Sequence, residues 1–271
     1  MIEFLGAYGP AEHLQAFLLG SARLFMLMNI APFFAGTLIT GPIRFVIMLA
    51  MYLVVHPMIL GQVPAWQGFQ LAPALVFGGL LAKELFLGLF LGLLAGFMFW
   101  GIQCAGFFID NQRGAGMAQD TDPMTGEQSS PTGTFLFQSA VYVFFSTGAF
   151  FSFLGAVYAS YEFWPVWEGI PASVFKEPAL ALFFAGKVAK LAMDMMLLSG
   201  PIIVACLLTD ISLGLINRFA SQLNVYVLAM PVKSGLASFL LIFYFGMLMS
   251  GAVRIFDSFG TDLQHLRFIL P

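Results

Sequence analysis

Six stretches of this chain, residues 13–35, 44–60, 73–109, 135–158, 179–208 and 236–253, are apolar for long enough to read as membrane spans. A crossing helix needs about 20 mainly apolar residues, and its backbone polar groups must pair within the helix because hydrocarbon offers no water. The remaining residues give no other way to fold. Only 9% are charged and 60% are apolar, whereas a soluble domain carries about 25% charged residues to hydrate its surface. The expected fold class is an all-α integral membrane protein, with residues 1–271 as a single membrane domain.

The same scarcity of charge excludes several functions. A net charge of -3 without a basic run gives no surface for nucleic acid. Cys104 and Cys206 both fall in apolar segments and suggest neither a disulfide framework nor a metal cluster. His13, His56 and His265 are far apart, and no nucleophile turn, phosphate loop or dinucleotide fingerprint is present. No catalytic, cofactor-binding or metal-ligating residue is therefore expected. The N-terminus carries Glu3 and Glu12, lacks a basic leading region, and has Arg23 in its first apolar run, unlike a cleavable signal.

Two of the six stretches are irregular. Residues 73–109 would run about 55 Å as one helix, so they either protrude from the bilayer or break near Lys83-Glu84. Residues 179–208 contain Gly200-Pro201, where a kink or break is expected because proline lacks an amide hydrogen. Loop charge hardly orients the chain. Arg44, Arg113, Arg218 and Lys233 fall on one side, against Lys176, Arg254 and Arg267 on the other, to which Lys83 can be added. So near a tie under the positive-inside rule suggests a protein seated by its partners.

Four polar or small-residue patterns stand out. Glu84, Gly88, Gly92 and Gly96 recur every four residues, forming a face that lets another helix approach closely, within the chain or between subunits. Lys187, Lys190 and Asp194 share a face of an apolar helix. They suit either a structural pair of Lys190 with Asp194, the reading preferred, or a water-lined path or proton relay. Arg23 calls for a partner carboxylate or a helix C-terminus. Residues 210–233 set Asp210, Asn217, Arg218, Gln222, Asn224 and Lys233 among apolar residues before Met230-Pro231. That pattern reads as a re-entrant or interfacial piece packed in protein, or as an amphipathic helix on the membrane surface. The 15 methionines and 32 phenylalanines suit lipid-facing and core positions, and could also build a soft gasket.

Three motifs carry a resemblance. INRFASQLNVYVLAMPVK, residues 216–233, resembles the QLNV signature of the SctT/FliR family of type III secretion and flagellar export-apparatus proteins. The run from Lys83-Glu84 through Gly88, Gly92 and Gly96 to FFIDNQRGAGMAQDTDPMTGEQSSPTG is similar to that family's second motif. Arg23 followed by Ala31-Pro32-Phe33 and Gly41-Pro42-Ile43-Arg44 supplies a third. Ala220-Ser221 stands where flagellar members often have Ala-Pro, and with Ile216-Asn217-Arg218 it favours an injectisome-type member.

The resemblance implies a bacterial inner-membrane export gate for unfolded secreted proteins, not an enzyme. Helical hairpins of this subunit and of SctR-like and SctS-like subunits would wind into a pseudo-helical ring, lifted partly out of the bilayer. An SctU-like switch protein and an SctV-like export ring would be further partners, with proton-motive force and an ATPase elsewhere supplying the drive. It also implies that the 110–134 connection closes the pore, through Asp110, Gln112, Arg113, Gly114, Ala115, Gly116, Met117 and Ala118. Assembly and packing would fall to Glu84, Gly88, Gly92 and Gly96, and to Gln222, Leu223, Asn224 and Val225. The alternative is a self-contained secondary transporter or ion channel. Such a protein should carry corresponding broken helices in two halves, and a single Gly-Pro break is present.

Overall fold

The computed structural model describes residues 8–34, 39–62, 71–114, 130–169, 178–219 and 225–269. Seven α-helices and a short 3-10 turn account for nearly all of them: α1 Pro10–Ile30, the turn Pro32–Phe34, α2 Gly41–Leu60, α3 Leu71–Gln112, α4 Pro131–Ser146, α5 Ala149–Phe163, α6 Ala179–Phe219 and α7 Val225–Ile269. Among the described residues there is no strand.

Proline and glycine punctuate these helices. Pro10, Pro42 and Pro131 each open a helix, where the missing amide hydrogen costs nothing. α1 stops at Ile30, short of the expected 35, because Pro32 holds the preceding Ala31 in an extended conformation, and the Ala31 amide closes the last turn on the Leu27 carbonyl. α4 and α5 divide what reads as one apolar stretch. They meet at a 76° bend, and Gly148 between them sits at φ 79, a left-handed conformation that glycine adopts without strain.

The long helices bear on three expectations. α3 is continuous over 42 residues, about 63 Å at 1.5 Å per residue, so Lys83-Glu84 does not break it. α6 likewise continues through Pro201, and α7 through Pro231. One lost hydrogen bond does not end a helix whose remaining ladder has no water to turn to. Residues 210–233 thus divide between two helices. Asp210 belongs to α6 and Lys233 to α7, leaving only 220–224 outside the described residues.

Among the described residues, four helices are long and apolar enough to cross a membrane: Gly41–Leu60, Ala74–Gln112, Ala179–Phe219 and Val227–Ile269. Counting the bent α4–α5 pair as one span makes five. This is an all-α, multi-pass membrane protein. α1 is not among those helices, since Glu12, His13, Arg23 and Asn29 dilute its apolar residues.

The chain resolves into two compact units. The first comprises Met1–Gly96, Phe150–Phe184 and Ser258–Pro271, the second Phe97–Ala149 and Ala185–Asp257. In the first, Gly20 of α1 lies against Tyr52 and Ile59 of α2, and Phe153 meets Phe33 edge-on at 5.3 Å and Phe259 at 4.9 Å. In the second, Phe99, Phe144 and Phe256 pack mutually at 5.1 to 5.3 Å, and Ile109, Ile202, Cys206 and Ala237 join α3, α6 and α7.

Candidate functional site

Arg23 is completely buried in the first unit and uses its guanidinium to the full. Nε and Nη2 donate to the two Glu84 carboxylate oxygens at 2.7 and 3.0 Å. Nη1 donates to the Ser160 carbonyl and hydroxyl at 2.8 and 3.0 Å, and Nη2 also to the Trp164 carbonyl at 2.8 Å. The Tyr161 ring lies 4.2 Å from the guanidinium carbon. Arg23 thus meets both a carboxylate and the C-terminal carbonyls of α5, which carry the negative end of the helix dipole. Beside it, Lys83 Nζ pairs with Glu84 at 2.7 Å and donates to the carbonyls of Pro165, Val166 and Glu168 at 2.7, 3.0 and 2.9 Å. Two cations and one carboxylate therefore hold α1, α3 and the segment after α5 together. Such a cluster stands in a dry setting only because every charge finds partners.

The glycine face of α3 makes room for this clamp. A Cβ on Gly88 would lie 2.3 Å from the Arg23 carbonyl oxygen and 2.9 Å from Met26 Cβ. One on Gly92 would meet Ile30 Cβ at 2.8 Å and the Leu27 carbonyl at 3.2 Å. Both glycines therefore serve a contact inside the first unit, between α3 and α1. Gly96, a turn further on, is also buried.

In the second unit Asp110 organises the root of the 110–134 connection. Its carboxylate is fully buried, pairs with Arg113 at 2.7 Å, and accepts from the Ser130 hydroxyl at 2.6 Å and the Thr132 amide at 3.0 Å. Ser130 in turn caps α4 by accepting from the Gly133 amide at 2.9 Å. One carboxylate thus ties the end of α3 to the start of α4, where Gly106 and Gly133 let the helices approach so closely that a Cβ on Gly106 would sit 2.5 Å from Gly133 Cα. Gln112 is half-buried at the end of α3. Gly114 follows with φ 80 against Met230, whose Cγ would lie 3.3 Å from a Cβ there. Ala115, Gly116, Met117 and Ala118 lie outside the described residues.

The α6–α7 hairpin carries the other singled-out groups. Lys190 and Asp194 line one cavity of about 550 Å³ together with Tyr244, Ser250 and Arg254. Asp194 also lies within electrostatic reach of Lys187. Near the other end of the hairpin, Lys233 Nζ is 2.9 and 3.1 Å from the two Asp210 oxygens. Gln222, Leu223 and Asn224 lie outside the described residues, and Val225 opens α7.

Several participants were not singled out from sequence. Lys83 was read as a loop charge, a break point and part of a motif but not as a member of a buried cluster, and Ser160 and Trp164 were not read at all. Ser130 could have been found, since a serine directly before Pro131 is a helix-start signal. His13 Nδ1 lies 3.1 Å from His56 Nε2, with the Tyr52 hydroxyl on the far side of the His56 ring, a pairing hidden by a sequence separation of 43. Among the described residues, no three His, Cys, Asp or Glu side chains come together as metal ligands.

Comparison with known proteins places this geometry. The Yop proteins translocation protein T of Yersinia pestis is 43% identical over 175 residues, 65% of this chain and 66% of its own length; the chain thus spans just under two thirds of that relative in the matched region. Surface presentation of antigens protein SpaR of Salmonella typhimurium is 29% identical over 263 residues, 96% of this chain and 95% of the relative. Flagellar biosynthetic protein FliR of Bacillus subtilis is 31% identical over 188 residues, 69% of this chain and 71% of the relative. The model of the family "Bacterial export proteins, family 1" matches residues 14–259, a range that takes in the Arg23 clamp, the Asp110 node and the α6–α7 hairpin, and the chain belongs to that family.

Proposed function

We propose that this chain is a core export-gate subunit of a bacterial type III protein secretion apparatus, seated in the inner membrane and working as one gate domain over residues 1–271. The carrying observation is the family match across residues 14–259. Apolar helices α6 and α7 support it, since their most apolar 18-residue windows are each only 22% buried within the chain. Lipid alone can cover such a surface, but helices of 41 and 45 residues extend about 62 and 68 Å, beyond a hydrocarbon layer of about 30 Å. SctR-like and SctS-like subunits are the proposed cover, an SctU-like switch protein and an SctV-like ring the further neighbours, and unfolded proteins the cargo. The chain acts as a structural conduit and not as an enzyme. Deleting its gene should abolish secretion without lowering substrate synthesis, and a tagged chain should co-purify with small helical membrane proteins. Normal secretion in the deletion strain would refute the assignment.

Asp110, Gln112, Arg113 and Gly114, with Ala115, Gly116, Met117 and Ala118, are proposed to root and form the pore plug. The support is the pinned base of the connection and its glycine-rich sequence, including Gly126 and Gly133. Removing residues 114–118 should leave the complex assembled and make cells leak small ions. An unchanged resting conductance at equal complex abundance would sink the plug.

A further inference from the structure

We propose that the crevice between α6 and α7 bounded by Lys190 and Arg254 binds the phosphate headgroup of an anionic membrane lipid. The two helices run antiparallel, with Asp210 and Lys233 paired near the turn and Leu198 against Gly251 farther along. Ionised groups on this hairpin fall in two layers. Asp210 and Lys233 form one, with Arg218 beyond them toward the turn, and Lys187, Lys190, Asp194 and Arg254 form the other, with Asp257, Asp262 and Arg267 farther along α7. Asp194 and Asp210 are about 24 Å apart along α6, and Lys233 and Arg254 about 32 Å apart along α7, at 1.5 Å per residue. Between the layers neither helix carries an ionisable Asp, Glu, Lys or Arg. An apolar belt of that height matches a hydrocarbon layer of about 30 Å, which puts the second charged layer at headgroup depth.

The crevice sits at that border. Its volume of about 550 Å³ falls within the roughly 300–1,000 Å³ typical of small-molecule sites. Two cations, Lys190 and Arg254, face one carboxylate, Asp194, leaving a net positive charge; Tyr244 brings a further hydroxyl, while that of Ser250 donates to the Gly246 carbonyl. Leu197 and Met247 also line it and are 62% and 68% exposed, giving acyl chains an apolar track leading out of the polar end. Basic pockets between membrane helices at this depth suit lipid phosphates, and Asp194 can accept from a hydroxyl on the headgroup. The ligand class is therefore a hydroxyl-bearing anionic phospholipid such as phosphatidylglycerol.

The test uses the full chain in detergent micelles and counts bound lipid by native mass spectrometry. Titrants are phosphatidylglycerol, phosphatidylcholine and inorganic phosphate. Wild-type protein should bind phosphatidylglycerol saturably, in preference to the other two. Replacing both cations, as Lys190→Gln with Arg254→Gln, should weaken that binding roughly thirtyfold, from about tenfold or less per charge. Lys190→Arg with Arg254→Lys should keep it, and so should Arg218→Gln with Arg267→Gln, which removes the same charge elsewhere. Unchanged binding by the first variant overturns the proposal, as does equal loss in the last. Equal binding of phosphatidylcholine or of inorganic phosphate removes the lipid assignment. So does a wild-type chain that binds no lipid while the Arg254→Gln variant loses a co-purifying subunit, since the occupant would then be an acidic side chain of that partner.

Discussion

Helix α3 and the α6–α7 hairpin are equally apolar and comparably long, yet their surroundings differ threefold. The most apolar window of α3 is 67% buried within the chain, against 22% for each of α6 and α7. The difference lies in what each helix offers its neighbours. α3 presents Gly88, Gly92 and Gly106 at close backbone contacts and carries its charges, Lys83, Glu84 and Asp110, in buried networks. On α6 and α7, Gly186, Gly214, Gly235 and Gly246 each face open space, and large side chains such as Met193, Leu197, Ile242 and Phe243 point outward. Hydropathy therefore separates lipid-compatible from soluble segments but does not separate scaffold from contact surface. Close-contact glycines and buried charges do.

The sharpest way to break this comparison is to remove a buried partner from α3. Glu84→Ala leaves Arg23 and Lys83 without their carboxylate, and breaking a buried pair costs about 3–5 kcal/mol. The variant should fail to accumulate in membranes, or unfold well below wild type when heated in detergent. Lys190→Ala on the largely uncovered hairpin should change that stability by about 0.5 kcal/mol or less. Comparable losses from both substitutions would erase the distinction. Asp110→Ala comes next. It strips an acceptor from Ser130 and Thr132 and a counter-charge from Arg113, a loss of about 2–3 kcal/mol. The same thermal assay checks it, and protease access between α3 and α4 should rise.

Glycine substitutions follow in size. Gly88→Ala drives a methyl into the Arg23 carbonyl oxygen, and overpacking of this kind costs about 1–3 kcal/mol. Gly246→Ala on α7 meets nothing within 4 Å and should stabilise the lone chain by about 0.5–1 kcal/mol, the helix penalty of glycine. Thermal unfolding of both in detergent measures the contrast. If a partner helix covers α7 in the assembled gate, Gly246→Leu should reduce co-purification while leaving the lone chain folded.

The two regions were also unequally legible in sequence. Membrane class and helical character followed from composition and run length, because a bilayer admits few alternatives. The spacing of Gly88 and Gly92 showed a close-approach face, and Arg23 in an apolar run called for a carboxylate or a helix end. What spacing could not give was the partner. Arg23 and Glu84 are 61 positions apart and Arg23 and Trp164 141 apart, and such pairings depend on how helices pack. Of the kink or break expected at Gly200-Pro201, the break does not occur, because in hydrocarbon a freed carbonyl has no solvent to leave the helix for. The bend at Gly148 went unseen because Ser146-Thr147-Gly148 interrupts an apolar run without a charge or a proline.

The smallest effect concerns the pair that closes the hairpin. Lys233 and Asp210 have side chains 14% and 41% exposed, so water and salt screen them, and an ion pair of this kind contributes about 0–1 kcal/mol. In the lone chain Asp210→Lys or Lys233→Asp should each cost about that much, since like charges then face one another. The double swap should recover most of the loss, because opposite charges face each other again. Raising the salt concentration should shrink the coupling, as the screening length falls from about 10 Å at 0.1 M to 3 Å at 1 M. The same cycle run on the assembled gate sharpens the comparison between regions. If subunits cover the hairpin there, the pair leaves water, each single change costs more, and the coupling loses its salt dependence. A coupling of equal size and equal salt sensitivity in both states would mean that this end of α6 and α7 stays bare, and that the uncovered face finds its cover farther along the helices.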